Sequence, residues 1–207
     1  MKTSHHIRFI TAASLFDGHD AAIHIMRRVL QSEGAEVIHL GHNRSVHSVV
    51  KAAIEEDAQG IAISSYQGGH VEYFSYMLDL LKQHGASHIK IFGGGGGVIV
   101  PEEIRLLESR GVSKIFSPQD GFDMGLVGMI QHMLKTCDTY ASGPVQNLKT
   151  TTASSLDIGH TISTLELGAD AHENPTFAQA RNSLLGEIKK ITQRCPIVGI
   201  TGTGGAG

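Results

Sequence analysis

The sequence has little of what marks an exported or membrane protein. Its only two cysteines, Cys137 and Cys195, form neither a redox motif nor a zinc ligand set and are most simply free thiols. No apolar stretch approaches the roughly 20 residues of a membrane helix, and the first residues lack the apolar segment of a signal peptide. We therefore expect a cytoplasmic protein without a membrane partner.

Charge is also scarce. Only 18% of the 207 residues are charged, the formal net charge is −3, and both signs are interspersed along the chain. A nucleic-acid surface needs clustered basic residues, so we expect no nucleic-acid partner. The length suits one domain of ordinary size with an appendage.

Glycine, by contrast, is abundant. The chain has 25 glycines, and many cluster at 93–97 and 199–207. Glycines that follow apolar runs indicate a backbone that turns sharply or approaches something large.

Strand-like and helix-like segments alternate five times. Such alternation predicts an α/β fold with a doubly wound five-stranded parallel sheet, and the flavodoxin-like strand order 2-1-3-4-5 is favoured. The carboxyl ends of parallel strands meet at one edge, where ligands bind. The segments expected there are 16–22, 64–70, 93–99 and 117–121. The predicted strands are 7–13, 36–40, 60–64, 89–92 and 114–116, and the predicted helices are 20–33, 46–54, 71–84, 101–110 and 122–135.

A histidine and a carboxylate stand two residues apart in the first of these loops, Asp17-Gly18-His19-Asp20-Ala21-Ala22. The imidazole can offer one nitrogen to a metal while the carboxylate holds the other. By itself such a cluster is more often an ordinary turn. It gains weight from Ser64-Ser65-Tyr66-Gln67-Gly68-Gly69-His70 and from the glycine run, which follow the third and fourth strands.

Together these three segments, in this order, resemble the cobalamin-binding domain of methylmalonyl-CoA mutase and its relatives. The resemblance implies that His19 replaces the dimethylbenzimidazole of the cofactor as lower axial ligand of cobalt, with Asp17 as its partner. The chain departs from the family pattern at Ala13 and Ala22, where lysine and glycine are usual. The residues so assigned to the cofactor are Asp17, Gly18, His19, Asp20, Ala21, Ser64, Tyr66, Gly68, Gly69, Gly93, Gly94, Gly95, Ser117 and Pro118.

The same resemblance implies a pocket for the displaced benzimidazole tail. Ser64 and Tyr66, the latter in place of the usual leucine, would line it. Gly93 to Gly95 would let the tail pass where side chains would clash, and Ser117-Pro118 would flank its far end.

Composition changes after Cys137, which predicts three parts: a cobalamin-binding domain over 1–137, a linker over 138–175 with room for a short hairpin, and a last part over 176–207. That last part begins with a helix over 176–194 and continues with a strand over 196–201. It ends with the spacing G-x-x-x-x-G of a phosphate-binding loop, without the lysine and Ser/Thr that would follow. The loop residues are Gly202, Thr203, Gly204, Gly205, Ala206 and Gly207.

A cobalamin domain that leads into a phosphate-binding loop resembles the order in fused isobutyryl-CoA mutases, which continue with a GTPase chaperone and a substrate barrel. This resemblance implies adenosylcobalamin as cofactor, GTP and Mg²⁺ in the full-length protein, an acyl-CoA substrate and a homodimer. The reaction implied is a carbon-skeleton radical rearrangement. The chain by itself would bind the cofactor without turnover.

Two other interpretations remain open. A corrinoid carrier or sensor would bind cobalamin without mutase chemistry. A flavodoxin-like signalling domain would make Asp17 and Asp20 an acidic pocket, but a receiver needs an aspartate at the end of the third strand, where this chain has Ser64.

Overall fold

The computed structural model describes residues 3–19, 21–138, 143–149 and 153–191. Five strands form one parallel sheet in the order β2-β1-β3-β4-β5, which confirms the predicted fold class and strand order. The strands are β1 (Arg8–Ser14), β2 (Glu36–Arg44), β3 (Gly60–Ser64), β4 (Lys90–Gly94) and β5 (Lys114–Phe116).

Helices follow every strand, and two more come after the last. They are α1 (Ala21–Ser32), α2 (Val46–Glu55), α3 (His70–Gln83), α4 (Pro101–Arg110), α5 (Pro118–Cys137), α6 (Ser155–Leu167) and α7 (Pro175–Ile188). None of the helices within the described ranges is long and apolar enough to cross a membrane.

The sheet separates two apolar layers because successive strand side chains point to opposite faces. One layer holds Ile10, Ile61 and Ile91 with the apolar sides of α2, α3 and α4. The other holds Phe9 and Phe92 with α1 and α5. The thiol of Cys137 is free, as predicted, and buried, and burial raises its pKa to about 12.

Strand β2 is longer than predicted and irregular. Its register with β1 slips between Thr11 and Ala12, which pair with His39 and Gly41, and slips again before Ser14. Leu40 is the extra residue of a β-bulge, and Gly41 takes a positive φ of 86° that glycine adopts without strain.

Helix α5 also exceeds its prediction, since it begins at Pro118 and not at residue 122. Ser117 caps it by accepting a hydrogen bond from the amide of Asp120, whose carboxylate bonds back to Ser117. The helix is broken at Gly125, which has φ 65° and ψ 174°, a combination essentially confined to glycine.

The linker prediction over 138–175 is wrong for residues 155–167, which form α6. The buried residues of this helix are Gly159, Ser163 and Thr164, so its docked face is made mostly of small and polar side chains, with Leu156 as an apolar contact. An apolar periodicity could not reveal it. The helix predicted over 176–194 is present as α7 but ends at Ile188, and the predicted strand over 196–201 lies outside the described residues.

Candidate cofactor site

Asp17 is the centre of the loop that leaves β1. Its amide donates to the carbonyl of Ser14 at 3.1 Å, and its side chain is 0% exposed. One carboxylate oxygen accepts from the amide of His19 at 2.8 Å and lies 2.9 Å from His19 Nδ1. The other oxygen accepts from the amide of Tyr66 at 2.6 Å. A single carboxylate therefore joins the loop after β1 to the loop after β3.

His19 stands at the surface of this arrangement. Its side chain is 66% exposed, and its ring lies 5.5 Å from that of Tyr66 at a tilt of 42°. An imidazole held at Nδ1 by a carboxylate keeps Nε2 as its remaining ligand atom. The local geometry therefore suits a histidine that ligates a metal brought to this edge of the sheet.

The electrostatics of Asp17 favour the ionised form. Burial acts to raise its pKa, but the hydrogen bonds from the Tyr66 and His19 amides and the contact with the His19 ring outweigh it. The pKa of Asp17 is thus lowered from its ordinary value. A charged carboxylate at neutral pH can hold the proton of His19 at Nδ1.

A cavity of about 360 Å³ opens beside this loop, between the sheet and the helices α1 and α5. Ser64, Tyr66 and Gly94 lie on its sheet side, and Ser117 and Pro118 lie at the start of α5. The hydroxyl of Ser64 is buried and has no hydrogen-bond partner within the described parts of the chain. A buried hydroxyl without a partner is costly, which indicates a site that a polar ligand group completes.

Three of the five glycines in the run 93–97, Gly93, Gly94 and Gly95, have different roles. A Cβ at Gly94 would lie 3.5 Å from the nearest atom, the Phe116 carbonyl oxygen, so the missing side chain leaves open space in the cavity. A Cβ at Gly93 would lie 2.5 Å from Phe74 and 2.7 Å from Ile115, within the apolar layer of α3. Gly93 is therefore required by core packing, while its backbone also lines the cavity, and its assignment to the path of a ligand stays a prediction.

Gly95 serves a close approach of two backbone segments. A Cβ there would collide with the carbonyl oxygen of Ser65, while the amide of Ser65 donates to the carbonyl of Gly94 at 2.8 Å. In addition, the hydroxyl of Ser14 donates to that of Ser65 at 3.0 Å. The ends of β1, β3 and β4 are thereby fixed together.

Some sequence-assigned residues lie beside the cavity without lining it. Gly18, Ala21, Gly68 and Gly69 are exposed at the same edge, and Gly69 supplies the left-handed turn before α3, with φ 80°. Asp20 and residues 202–207 lie outside the described residues.

The helical wall of the cavity is the part that sequence reasoning missed. Met26 of α1 and Leu126, Met129 and Met133 of α5 face Phe92 and Phe116 across the cavity. Their spacing of three and four residues on α5 was a usable signal. The same spacing is typical of an ordinary core helix, so it gave no hint that the space between the helix and the sheet is open.

Comparison with known proteins identifies the family of the chain. Residues 7–133 match the family model of the B12 binding domain. The whole chain is 54% identical to a fused isobutyryl-CoA mutase of Geobacillus kaustophilus, and 97% of it is 55% identical to one of Cupriavidus metallidurans. The chain spans about a fifth of the length of these relatives, 19% and 18% respectively.

A smaller relative and a solved structure also match. Over 54% of this chain and 74% of the relative, the chain is 35% identical to a pivalyl-CoA mutase small subunit of Xanthobacter autotrophicus. A crystal structure of a cobalamin-binding protein from Desulfitobacterium hafniense matches the fold with a TM-score of 0.52 and 19% identity, over 63% of this chain and 59% of that one. The chain belongs to the B12-binding domain family, and its sequence is closely related to a region of the fused isobutyryl-CoA mutases.

Proposed function

We propose that the chain binds cobalamin in the base-off form, with His19 as lower ligand of the cobalt. The observation that carries this proposal is the pairing of a buried, ionised Asp17 with Nδ1 of an exposed His19. A histidine oriented in this way by a carboxylate is a more basic ligand with a defined tautomer.

The cavity between the sheet and α5 fits the displaced benzimidazole tail. Its volume of about 360 Å³ lies within the roughly 300–1,000 Å³ usual for small-molecule pockets. The apolar walls suit a flat aromatic base, Gly94 leaves room for it, and the buried hydroxyl of Ser64 offers a polar contact. Ser117 and Pro118 bound the far end.

The residues of the chain would hold and tune the cofactor. When bound, adenosylcobalamin supplies a cobalt–carbon bond whose cleavage starts radical rearrangements. Asp17 keeps the proton on His19 Nδ1 and fixes the ring plane, and Tyr66 packs beside the ring. Asp17 also accepts a hydrogen bond from the amide of Tyr66, so it couples the position of the His19 ring to the residues at the tail cavity.

The first test is the identity of the axial nitrogen. Protein labelled with ¹⁵N-histidine is loaded with cob(II)alamin, and electron paramagnetic resonance is expected to show hyperfine coupling from the labelled imidazole. His19→Ala should abolish this coupling and weaken cobalamin binding by more than the roughly 10–100-fold typical of losing an outer-sphere partner. Since His19 is largely exposed, the thermal unfolding midpoint of the His19→Ala variant should remain close to that of the parent chain.

His42→Ala is the matched control, because His42 is exposed at the end of β2 on the same edge of the sheet. It should keep both the coupling and the affinity. Coupling from the benzimidazole nitrogen of the cofactor in the unsubstituted protein would overturn the proposal.

We further propose that this chain is the cofactor domain of an acyl-CoA mutase of the isobutyryl-CoA type. The 54% identity over the whole chain to a fused isobutyryl-CoA mutase supports this. The chain by itself should bind cofactor without turnover, and the longer protein that contains it should interconvert isobutyryl-CoA and n-butyryl-CoA. Cobalamin binding without interconversion of acyl-CoA thioesters by the longer protein would favour a corrinoid carrier or sensor.

We also propose that residues 202–207 open a GTP-binding loop in that longer protein. The support is the glycine spacing after a strand-like apolar run. Backbone amides alone form a weak anion site, so this chain should show no measurable GTP binding. A longer chain that continues with Lys-Ser or Lys-Thr should bind GTP with Mg²⁺, and one without that lysine would refute the GTPase proposal alone.

A further inference from the structure

Three potential metal ligands meet at the amino edge of the sheet, opposite the cofactor site. Asp57 lies in the turn between α2 and β3, His88 lies just before β4, and His160 lies in α6. They come from three separate segments, and all three are partly buried. Neither the B12-binding fold nor the proposed cobalamin chemistry uses them.

Their ligand atoms are close together. One ligand atom from each residue lies within 4.8 Å of the other two, and His160 Nε2 is 2.8 Å from Asp57 Oδ1. The rings of His88 and His160 have centroids 6.0 Å apart. The side chains of His160 and Asp57 are 19% and 14% exposed, which leaves an approach for an ion.

Packing that does not involve these side chains fixes α6 against the end of α2. A Cβ at Gly159 would lie 2.9 Å from the carbonyl oxygen of Ile54 and 3.1 Å from that of Glu55, so α6 rests directly on the end of α2. Leu156 packs against the main apolar cluster. The backbone next to His160 is therefore held near Asp57 whatever the charge of the two side chains.

We propose that Asp57, His88 and His160 bind a divalent transition-metal ion, with Zn²⁺ the best match. Two imidazoles and one carboxylate form a donor set that suits Zn²⁺ and its neighbours better than Mg²⁺ or Ca²⁺, which prefer oxygen ligands. Bonds of about 2.0–2.1 Å place tetrahedral ligands roughly 3.3 Å apart. The Asp57–His160 pair, at 2.8 Å, is already within that spacing. Ligand atoms at the 4.8 Å limit have to approach by at most roughly 1.5 Å, within reach of side-chain rotation.

Such an ion would tie α6 to two connections of the sheet domain. Among the described residues, the Asp57–His160 pair and the Arg8–Glu166 ion pair, 3.3 Å between Arg8 Nη2 and Glu166 Oε2, are two polar contacts that join α6 to that edge. A bound metal would connect His88 to the Asp57–His160 pair and would replace their hydrogen bond with stronger coordination bonds. It would fix the direction in which the chain leaves the cobalamin-binding domain.

The test is titration of the chelator-treated 207-residue chain with Zn²⁺, and with Co²⁺ as a spectroscopic probe, in the absence of cobalamin. We expect one saturable site per chain, an intense visible Co²⁺ spectrum typical of tetrahedral coordination, and a rise in the thermal unfolding midpoint that a chelator reverses. Asp57→Asn, His88→Gln and His160→Gln should each lower the affinity by at least about 10–100-fold. Asparagine tolerates the left-handed backbone of residue 57, with φ 49°, so that variant should retain the fold.

His84→Gln is the matched control, because His84 is exposed at the end of α3 and belongs to the same helix–strand connection as His88. It should bind the ions as the parent does. The proposal is overturned if the parent shows no saturable binding, or if all three ligand variants bind as tightly as the control. The same holds if the Co²⁺ spectrum is that of a six-coordinate aqueous ion.

Discussion

At the scale of single residues, Asp17 connects two loops at the carboxyl edge. Its two oxygens face the amides of His19 and Tyr66 and the His19 ring. An acceptor with three donors around it leaves no position for a hydrogen-bond donor. This makes the carboxylate difficult to replace even by a group of the same shape.

Asp17→Asn should loosen cobalamin binding by about 10–100-fold, because the amide NH₂ would meet a backbone N–H where an oxygen now accepts. Equilibrium titration with cobalamin, followed by the change in its visible spectrum, measures the effect. Asp79→Asn, at an exposed position of α3, should bind as the parent does. Equal affinity of Asp17→Asn and the parent would show that the carboxylate does not orient the ligand.

Gly93 and Gly94 of β4 lie next to each other, so a side chain added at each position tests the two faces of the sheet separately. Gly94→Val adds atoms to the cavity with the nearest protein atom 3.5 Å from its Cβ, so it should lower cobalamin affinity and leave the thermal unfolding midpoint nearly unchanged. Gly93→Ala forces its methyl group against Phe74 and Ile115 and should destabilise the fold by about 1–3 kcal/mol.

Chemical denaturation and cobalamin titration of both variants separate these effects. Unchanged affinity of a folded Gly94→Val chain would mean that the benzimidazole tail does not pass this position. An unaltered stability of Gly93→Ala would contradict the packing account of Gly93.

At the scale of elements, the start of α5 joins the sheet edge to the cavity wall. The carboxylate of Asp120 accepts from the amide and hydroxyl of Ser117 at 2.8 and 2.7 Å and lies 3.3 Å from Lys114 Nζ. Burial acts to raise the pKa of Asp120, yet the bonds from Ser117 and the charge of Lys114 lower it overall. The ionised carboxylate therefore stabilises the folded chain.

The sign of the pH dependence follows from that lowered pKa. The stabilisation by Asp120 is complete above the ordinary aspartate pKa of 3.8, and is lost as the pH falls through the lower folded-state pKa. Asp120→Asn should reduce stability at pH 6 by about 0.5–2 kcal/mol, the usual cost of losing a helix cap. The difference from the parent should shrink on acidification.

Thermal unfolding of both chains between pH 2 and pH 6 measures this convergence. Asp123→Asn changes an exposed carboxylate of the same helix, which accepts from Gln119, and should show a smaller effect. A constant gap between Asp120→Asn and the parent over the whole pH range would refute the account.

At the scale of the whole molecule, the sheet and the convergence of its loops were predictable from the sequence. The buried strands are short apolar runs, and Ser, Asp or Gly stands within the first three residues after each of them, so strand order and site position followed from simple rules. The bond between Asp17 and Tyr66 was not predictable, because it joins residues 49 positions apart that only the fold brings together. Gly93 and Gly94 looked equivalent in sequence and differ only by the alternation of a strand.

The appended helices show where sequence patterns fail. The buried residues of helix α6 are Gly159, Ser163 and Thr164, with Leu156 as one apolar contact, and such a surface has no clear apolar periodicity. A usable signal was present in Ser154-x-x-Asp157, whose capping hydrogen bonds start the helix. The small residues of α6 let its backbone lie close to the end of α2. The contact therefore does not need the large apolar side chains from which a helix is recognised in a sequence.

The irregular end of β2 has a consequence for how these chains meet one another. A nine-residue outer strand would ordinarily expose a row of amides and carbonyls on which a second molecule could extend the sheet. Past residue 39, the bulge at Leu40 and the positive φ angles of Gly41 and Asn43 turn the backbone amides and carbonyls of β2 out of line. The opposite outer strand, β5, has only three residues. Neither margin therefore offers a long regular template, and the bulge protects the chain against edge-to-edge polymerisation into fibrous aggregates.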